Sequence, residues 1–313
     1  MKTLFINGPK RSGTTLLMRL MDSCPGVVDF VDEAFFWEHA YGYMRDGALD
    51  VFVDAFRMFD SEQVRAGIYD RAILPWVDGV FKQNATVCNM ETRYDFDAER
   101  FAAGLSRLAG CTSIAQVWEA LVLAYSGASS KTHSPGDPAV FKTADYGRTI
   151  LSGRACLDDT RSVFIMRNPY YAIDSLKKSR SMRETKRLHP INFAEAIGDY
   201  LFLWRNFEDI CGQDTLLITY EHLLLNPEQT LSGIAAHFGI AYSDSLLLPS
   251  LRGQQWLGGS SFDKRRNIDP SALDRPLKVL DAHEIEYIGK HLGGLIEHFG
   301  YRLDVQAPDR RVL

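Results

Sequence analysis

Four stretches of this 313-residue sequence end an apolar run in residues that can grip an anion or move a proton. The first is Leu4-Phe5-Ile6, followed by Gly8, Pro9 and the loop Lys10-Arg11-Ser12-Gly13-Thr14-Thr15. The second begins at Val27-Val28 and ends in Asp32-Glu33. The third is Ala139-Val140-Phe141, ending in Lys142-Thr143. The fourth is Ser162-Val163-Phe164-Ile165-Met166, ending in Arg167-Asn168-Pro169, with Ser175 eight positions after Arg167. The first carries the clearest chemistry. A strand, a tight loop and a helix start leave first-turn N–H groups without helical partners, and the helix dipole favours an anion there. Gly13 lets the backbone come close, Thr14 and Thr15 add hydroxyls, and Lys10 and Arg11 add charge. Gly8 and Gly13 have the spacing of the phosphate loop G-x-x-x-x-G-K-[ST], but Thr14 stands where a lysine would reach the β- and γ-phosphates of ATP. The loop therefore reads as a phosphate site for something other than a magnesium–nucleoside triphosphate. Three other readings of it stay open: a P-loop kinase-like phosphotransferase with an unusual loop, a non-catalytic nucleotide-binding module, and an ordinary strand–helix turn.

These groups need a scaffold that delivers them to one place, and the strand ends of an open parallel sheet do so. A helix with apolar Leu16, Leu17, Leu20 and Met21 is expected after the loop. Another starts near Ala34, where Asp32 can serve as cap and leave Glu33 for chemistry. Residues 35 to about 128 read as mostly helical and aromatic, with one short strand at 85–91. The aromatic stripe over 35–59 reads first as core, although so long an excursion can also wall a substrate site. A Ser-, Gly- and Pro-dense loop is expected at 126–138. The helix from about Tyr170 puts Ser175 two turns in, on the face that Arg167 approaches, while Lys177, Lys178 and Arg180 read as a solvated face. A helix over 192–210, a strand over 215–219 ending at Tyr220-Glu221, a helix over 227–238 closed by Gly239 and a last helix over 284–299 complete the chain. The expected fold class is α/β: a P-loop-like central parallel sheet flanked by helices, with a largely helical insertion after the second strand, in one domain spanning 1–313.

The composition is 46% hydrophobic and 24% charged, ordinary for a globular chain with a large core. The net charge of −5 offers no surface for a polyanion, so nucleic acid is not expected as a partner. Five scattered cysteines without a CxxC pair suggest a reduced, cytoplasmic protein without structural zinc. His283, His291 and His298 lack metal-ligand spacing, and no metal is expected. No secretory leader is recognisable, and no run approaches the roughly 18 apolar residues of a membrane span.

Several of these stretches together resemble the sulfotransferases that use 3′-phosphoadenosine 5′-phosphosulfate (PAPS). The loop Arg11-Ser12-Gly13-Thr14-Thr15 is similar to their 5′-phosphosulfate loop. Arg167-Asn168-Pro169 with Ser175 is similar to their 3′-phosphate motif, and Phe141-Lys142-Thr143 to their strand-end K-T motif. The segment 217–238 resembles their Y-E-x-L…P-x-x-T-L…F pattern, and 258–266 matches more weakly. The pattern is nearer to the bacterial, carbohydrate and protein-tyrosine branches than to cytosolic animal enzymes. Two departures stand out: Lys10 replaces the proline directly before the loop cation, and Ala144 stands where the cytosolic animal enzymes carry a catalytic histidine. The resemblance implies a P-loop-like fold and an in-line sulfuryl transfer to a carbohydrate or small-molecule hydroxyl, with adenosine 3′,5′-bisphosphate (PAP) as product. It implies Glu33 as base with Asp32 in reserve, and Arg11 and Lys142 as catalytic cations. Donor contacts would come from Lys10, Arg11, Ser12, Gly13, Thr14, Thr15, Arg167, Ser175 and Tyr220. Ser260 and Arg265 would add to them, with Lys264 and Arg266 not distinguished from Arg265. The insert at about 35–135 would form the acceptor side. Oligomeric state is not implied.

Overall fold

Thr3–Asn7 is buried at every position, so this strand, β1, must lie inside a sheet covered on both faces. The computed structural model describes residues 1–22, 24–33, 36–58, 98–128, 134, 136–182, 190–251, 254–256 and 268–304. After β1 come helix α1 (Thr14–Asp22), strand β2 (Val28–Glu33) and helices α2 (Phe36–Arg45) and α3 (Leu49–Arg57). Beyond them lie α4 (Ala98–Gly104), a 3-10 turn (Leu105–Gly110) and α5 (Ile114–Ala128). Then β3 (Ala139–Lys142), α6 (Arg148–Cys156), β4 (Thr160–Met166), α7 (Pro169–Met182), α8 (Pro190–Arg205) and the short α9 (Phe207–Ile210) follow. The chain continues through β5 (Thr215–Thr219), α10 (Tyr220–Leu225), α11 (Pro227–Phe238), a two-residue antiparallel pair β6 (Ser250–Leu251) and β7 (Gln254–Gln255), and α12 (Ala282–Phe299).

The sheet has the order β2-β3-β1-β4-β5, and every pairing is parallel. Successive side chains of a strand point to opposite faces, and the core divides accordingly. Leu4, Ile6, Val140, Val163 and Ile165 pack on α1 and α11 through Leu17, Leu20, Leu231 and Phe238. Phe5, Phe141 and Phe164 take the other face with Trp37, Trp118 and Tyr125 of the insert helices. On that face α6 comes so close to β1 that a Cβ at Gly153 would strike the Phe5 ring. Among the described residues, no helix is long and apolar enough to cross a membrane.

The α/β class, the parallel sheet and the flanking helices are as expected. Two local expectations change. Helix α5 runs through Ala128 into the stretch read as loop, because Tyr125 and Ala128 are buried in the core and hold its last turn. The helix expected over 192–210 is broken at Asn206, whose side chain donates to the Phe202 carbonyl at 2.8 Å and separates α8 from α9. Phe36, Trp37, Phe52 and Phe56 of the aromatic stripe are core, the reading expected first, while Tyr43 is exposed: Phe36 lies 4.9 Å from Trp37 and 5.4 Å from Phe56, edge-to-face. The strand expected at 85–91, Phe35, Phe59 and residues 129–133 and 135 of the expected loop fall outside the described residues.

Candidate active site

Strand β1 sits between β3 and β4, so the chain departs from it in both directions across the sheet. In open α/β sheets the crevice at such a switch point, beyond the carboxyl ends of the strands, is where ligands bind. The loop between β1 and α1 begins there.

Two glycines let that loop seat tightly. A Cβ at Gly8 would collide with the Ile165 carbonyl oxygen on β4, and one at Gly13 would come within 2.5 Å of the Tyr220 ring. Gly13 has φ of 105°, and Arg11 takes a left-handed φ of 72°, which a residue with a Cβ seldom adopts. The Ser12 N–H closes the turn on the Pro9 carbonyl at 3.1 Å. Thr14 and Thr15 open α1, whose first N–H groups have no carbonyl behind them in the helix. Ser12 is fully buried, and among the described residues its Oγ has no hydrogen-bond partner. Lys10 is exposed at the loop tip.

Three distant segments meet at Arg11. Its Nε donates to the Ser175 Oγ on α7 at 3.1 Å. Its carbonyl accepts from Arg167 Nη1, at the end of β4, at 3.0 Å. The Arg167 guanidinium in turn lies 4.5 Å above the Tyr220 ring, the same ring that Gly13 packs against. Ser175 was expected to face Arg167; it reaches Arg11 instead, and the loop sits between the two. The structure thus brings Arg11, Ser12, Gly13, Arg167, Ser175 and Tyr220 together. Lys177 goes elsewhere, pairing with Glu284 of α12 at 2.6 Å.

Lys142 closes β3 and is only 6% exposed. Its backbone is in register with Ile6 of β1 on one side and Glu33 of β2 on the other. Only the backbone of Asp32 and Glu33 is described, and Ser260, Lys264, Arg265 and Arg266 lie outside the described residues. The His291 ring lies 4.2 Å from that of Tyr287, tilted, and the His298 ring 5.2 Å from that of Phe207, edge-to-face.

Sequence reading missed the residues that hold this edge together. Asn7, the last residue of β1, donates to Thr143 Oγ1 at 2.7 Å and to Asp145 Oδ1 at 2.5 Å, and its own oxygen accepts the Gly147 N–H at 2.8 Å. Asp145 Oδ2 accepts the Thr149 N–H at 3.0 Å and the Thr149 hydroxyl as well, which fastens the start of α6. The strand end before the loop is thereby bolted to the segment after Lys142. Burial raises the Asp145 carboxyl above its ordinary pKa, and the Thr149 and Asn7 hydrogen bonds partly offset that. Glu221, next to Tyr220, is fully buried and accepts the Asn168 N–H at 3.1 Å. A polar residue closing an apolar strand, and an acid beside a site tyrosine, are the sequence signals that point to Asn7 and Glu221.

The chain matches the family model described as the Sulfotransferase family over residues 3–244. Among solved structures, the sulfotransferase domain from the Synechococcus PCC 7002 olefin synthase is 19% identical, with a TM-score of 0.55 covering 97% of this chain and 96% of that one. The sulfotransferase domain from the curacin biosynthetic pathway is 18% identical, with a TM-score of 0.52 covering 96% and 98%. None of the curated proteins matches the chain. At such identities the solved structures attest the fold, while the family match runs from β1 past α11 and takes in Arg11, Lys142, Arg167, Ser175 and Tyr220. It leaves the kinase-like and non-catalytic readings of the loop without support, and the chain belongs to the sulfotransferase family, enzymes that transfer a sulfuryl group.

Proposed function

We propose that the sulfuryl donor is PAPS and that the acceptor is the hydroxyl of a carbohydrate or of a small alcohol or phenol. The observation that carries this reading is the meeting of Ser175 and Arg167 on Arg11. It puts two cations and a hydroxyl beside a phosphate loop, which suits a nucleotide phosphorylated at both its 5′ and 3′ positions. A triphosphate such as ATP would use only the first grip. The cradle at Gly8 and Gly13 and the unpartnered, buried Ser12 Oγ fit a close-lying anion.

When bound, the donor supplies an activated sulfuryl group whose leaving group is a phosphate. The residues of the chain then divide the work. The first N–H groups of α1, with Lys10, Ser12, Thr14 and Thr15, hold the 5′ end. Arg167 and Ser175 hold the 3′-phosphate, where a planar guanidinium matches phosphate oxygens, and Ser260 and Arg265 are proposed to complete that grip. Tyr220 supports Arg167 from below. Arg11 and Lys142 meet the negative charge that grows on the bridging oxygen, a task assigned here to these cations and not to a metal ion. Glu33 takes the proton of the acceptor hydroxyl. The β2–β3 register supports that role, since Glu33 and Lys142 are backbone partners, about 5 Å apart as neighbouring strands are. A carboxylate with an ordinary pKa of about 4.3 is a weak base, so contact with the acceptor must tune it. The helical segment at about 35–135 is proposed as the acceptor side of a single, cytoplasmic domain.

Thermal unfolding with added nucleotide tests the donor. Adenosine 3′,5′-bisphosphate should raise the midpoint by several degrees, and magnesium–ATP should not. Equal shifts, or none, overturn the reading. Turnover with labelled PAPS over panels of sugars, phenols and alcohols then identifies the acceptor.

A further inference from the structure

Behind the loop, one buried acid has no part in the scheme above. Glu221, the second residue of α10, has no solvent exposure, and among the described residues its Oε2 has no hydrogen-bond partner. Groups from three other elements face it: the Arg167 guanidinium at the end of β4, the Tyr200 hydroxyl on α8 and the Tyr301 hydroxyl just beyond α12. Tyr220 stands beside it on α10 and is itself faced by Arg275 and Arg11. The Tyr200 and Tyr301 hydroxyls are also buried without hydrogen-bond partners among the described residues, and Tyr146 packs 5.2 Å from Tyr200. Burial pushes Tyr200, Tyr220 and Tyr301 up, so near neutrality these three stay uncharged. The charge in this buried cluster is therefore set by Glu221 and Arg167.

We propose that Glu221 is a positioning residue that acts through Arg167: by gaining or losing a proton it sets how strongly that guanidinium holds a phosphate group. The inference rests on the proposed role of Arg167 at the 3′-phosphate of the donor. A buried carboxylate with an unmet oxygen is costly. Burial pushes Glu221 up to about 7, with the Asn168 N–H and Arg167 pulling it back. The ionised carboxyl draws on the charge of Arg167 and repels an incoming phosphate. The protonated carboxyl leaves that charge to the phosphate. By reciprocity, a phosphate seated on Arg167 favours the protonated acid, so binding takes up a proton near neutral pH. A phosphate monoester alone does the reverse: its second pKa is about 6, and pairing with a cation drives its proton off. The sign of the proton exchange separates the two.

Calorimetric titration of the full chain with adenosine 3′,5′-bisphosphate, in buffers of different ionisation enthalpy, counts the protons exchanged. The wild type should take up protons at pH 7.5 and bind roughly fivefold or more tightly at pH 6.5 than at pH 8.5. Glu221→Gln, which keeps an oxygen for the Asn168 N–H, should bind equally at both pH values with no uptake. Adenosine 5′-monophosphate should bind the wild type more weakly and show no uptake. If the wild type releases protons or exchanges none, or if both proteins share one pH slope, the proposal is overturned while the role of Arg167 stands. If the bisphosphate binds the wild type no better than the monophosphate, the role of Arg167 fails and the proposal with it. The wild-type proton count decides the matter even if the variant does not fold.

Discussion

Glu33 and Arg167 show two ways a single residue can be legible. Arg167 ends the strongest apolar run of the chain, and its place beside the loop is confirmed by its bond to the Arg11 carbonyl at 3.0 Å. Glu33 rests on position: it ends β2 in register with Lys142. Its proposed role makes a sharp prediction. Glu33→Gln keeps shape and polarity but cannot accept a proton. It should lower kcat by about 10²- to 10⁴-fold while leaving the affinity for adenosine 3′,5′-bisphosphate unchanged, as read by turnover with labelled PAPS and by calorimetry. A variant that keeps more than a tenth of the wild-type kcat moves the base to another residue, with Asp32 the first to examine.

At the scale of elements, the site depends on how α7 is held, because α7 carries Ser175. The residue before it, Asp174, is nearly buried, and its Oδ1 accepts the N–H groups of Lys278, Val279 and Leu280 at 3.0, 2.8 and 3.1 Å. One carboxylate oxygen thus ties the segment before α12 to the helix behind the loop. The start of α12 is separately fixed by a capping box between Asp281 and Glu284, and Glu284 also pairs with Lys177 of α7. Asp174→Ala leaves three backbone donors without their acceptor. It should cost about 2–4 kcal/mol of unfolding free energy and also weaken nucleotide binding, since Ser175 loses its support. Urea unfolding and calorimetric titration measure the two effects. A loss below about 1 kcal/mol would mean that neighbouring groups replace the carboxylate.

For the molecule as a whole, two buried acids contribute to how stability depends on pH. Burial raises both Asp145 and Glu221 above their ordinary values, Glu221 to about 7 from 4.5. A raised carboxyl binds its proton more tightly in the folded than in the unfolded chain. Its stabilisation is therefore present at acid pH and is lost as pH rises from about 4.5 toward about 7. For Glu221 the loss is at most about 3 kcal/mol. Ligand-free wild-type chain should unfold at lower urea concentration at pH 8 than at pH 5.5, and Glu221→Gln should lose much less over the same interval. Identical pH profiles for the two proteins would show that Glu221 titrates alike in both states.

The order of strands and helices was readable because each is a local matter: Leu4-Phe5-Ile6 has the make-up of a buried strand, and Gly8 to Thr15 that of a turn into a helix start. The anion-binding loop was readable for the same reason, since its N–H groups, glycines and cations are consecutive in the chain. Its partners were readable only by type. That Ser175 reaches Arg11 across 164 positions, that Asn7 locks to Asp145 across 138, and that Glu221 meets Tyr200 and Tyr301 follow from which strands lie side by side. Strand order is settled by the packing of whole faces against one another, and residue types near a strand end do not encode it. The aromatic residues of the insert make the same point: their types allowed either a core or a pocket, and only the fit of Phe36 and Trp37 against the sheet made them core.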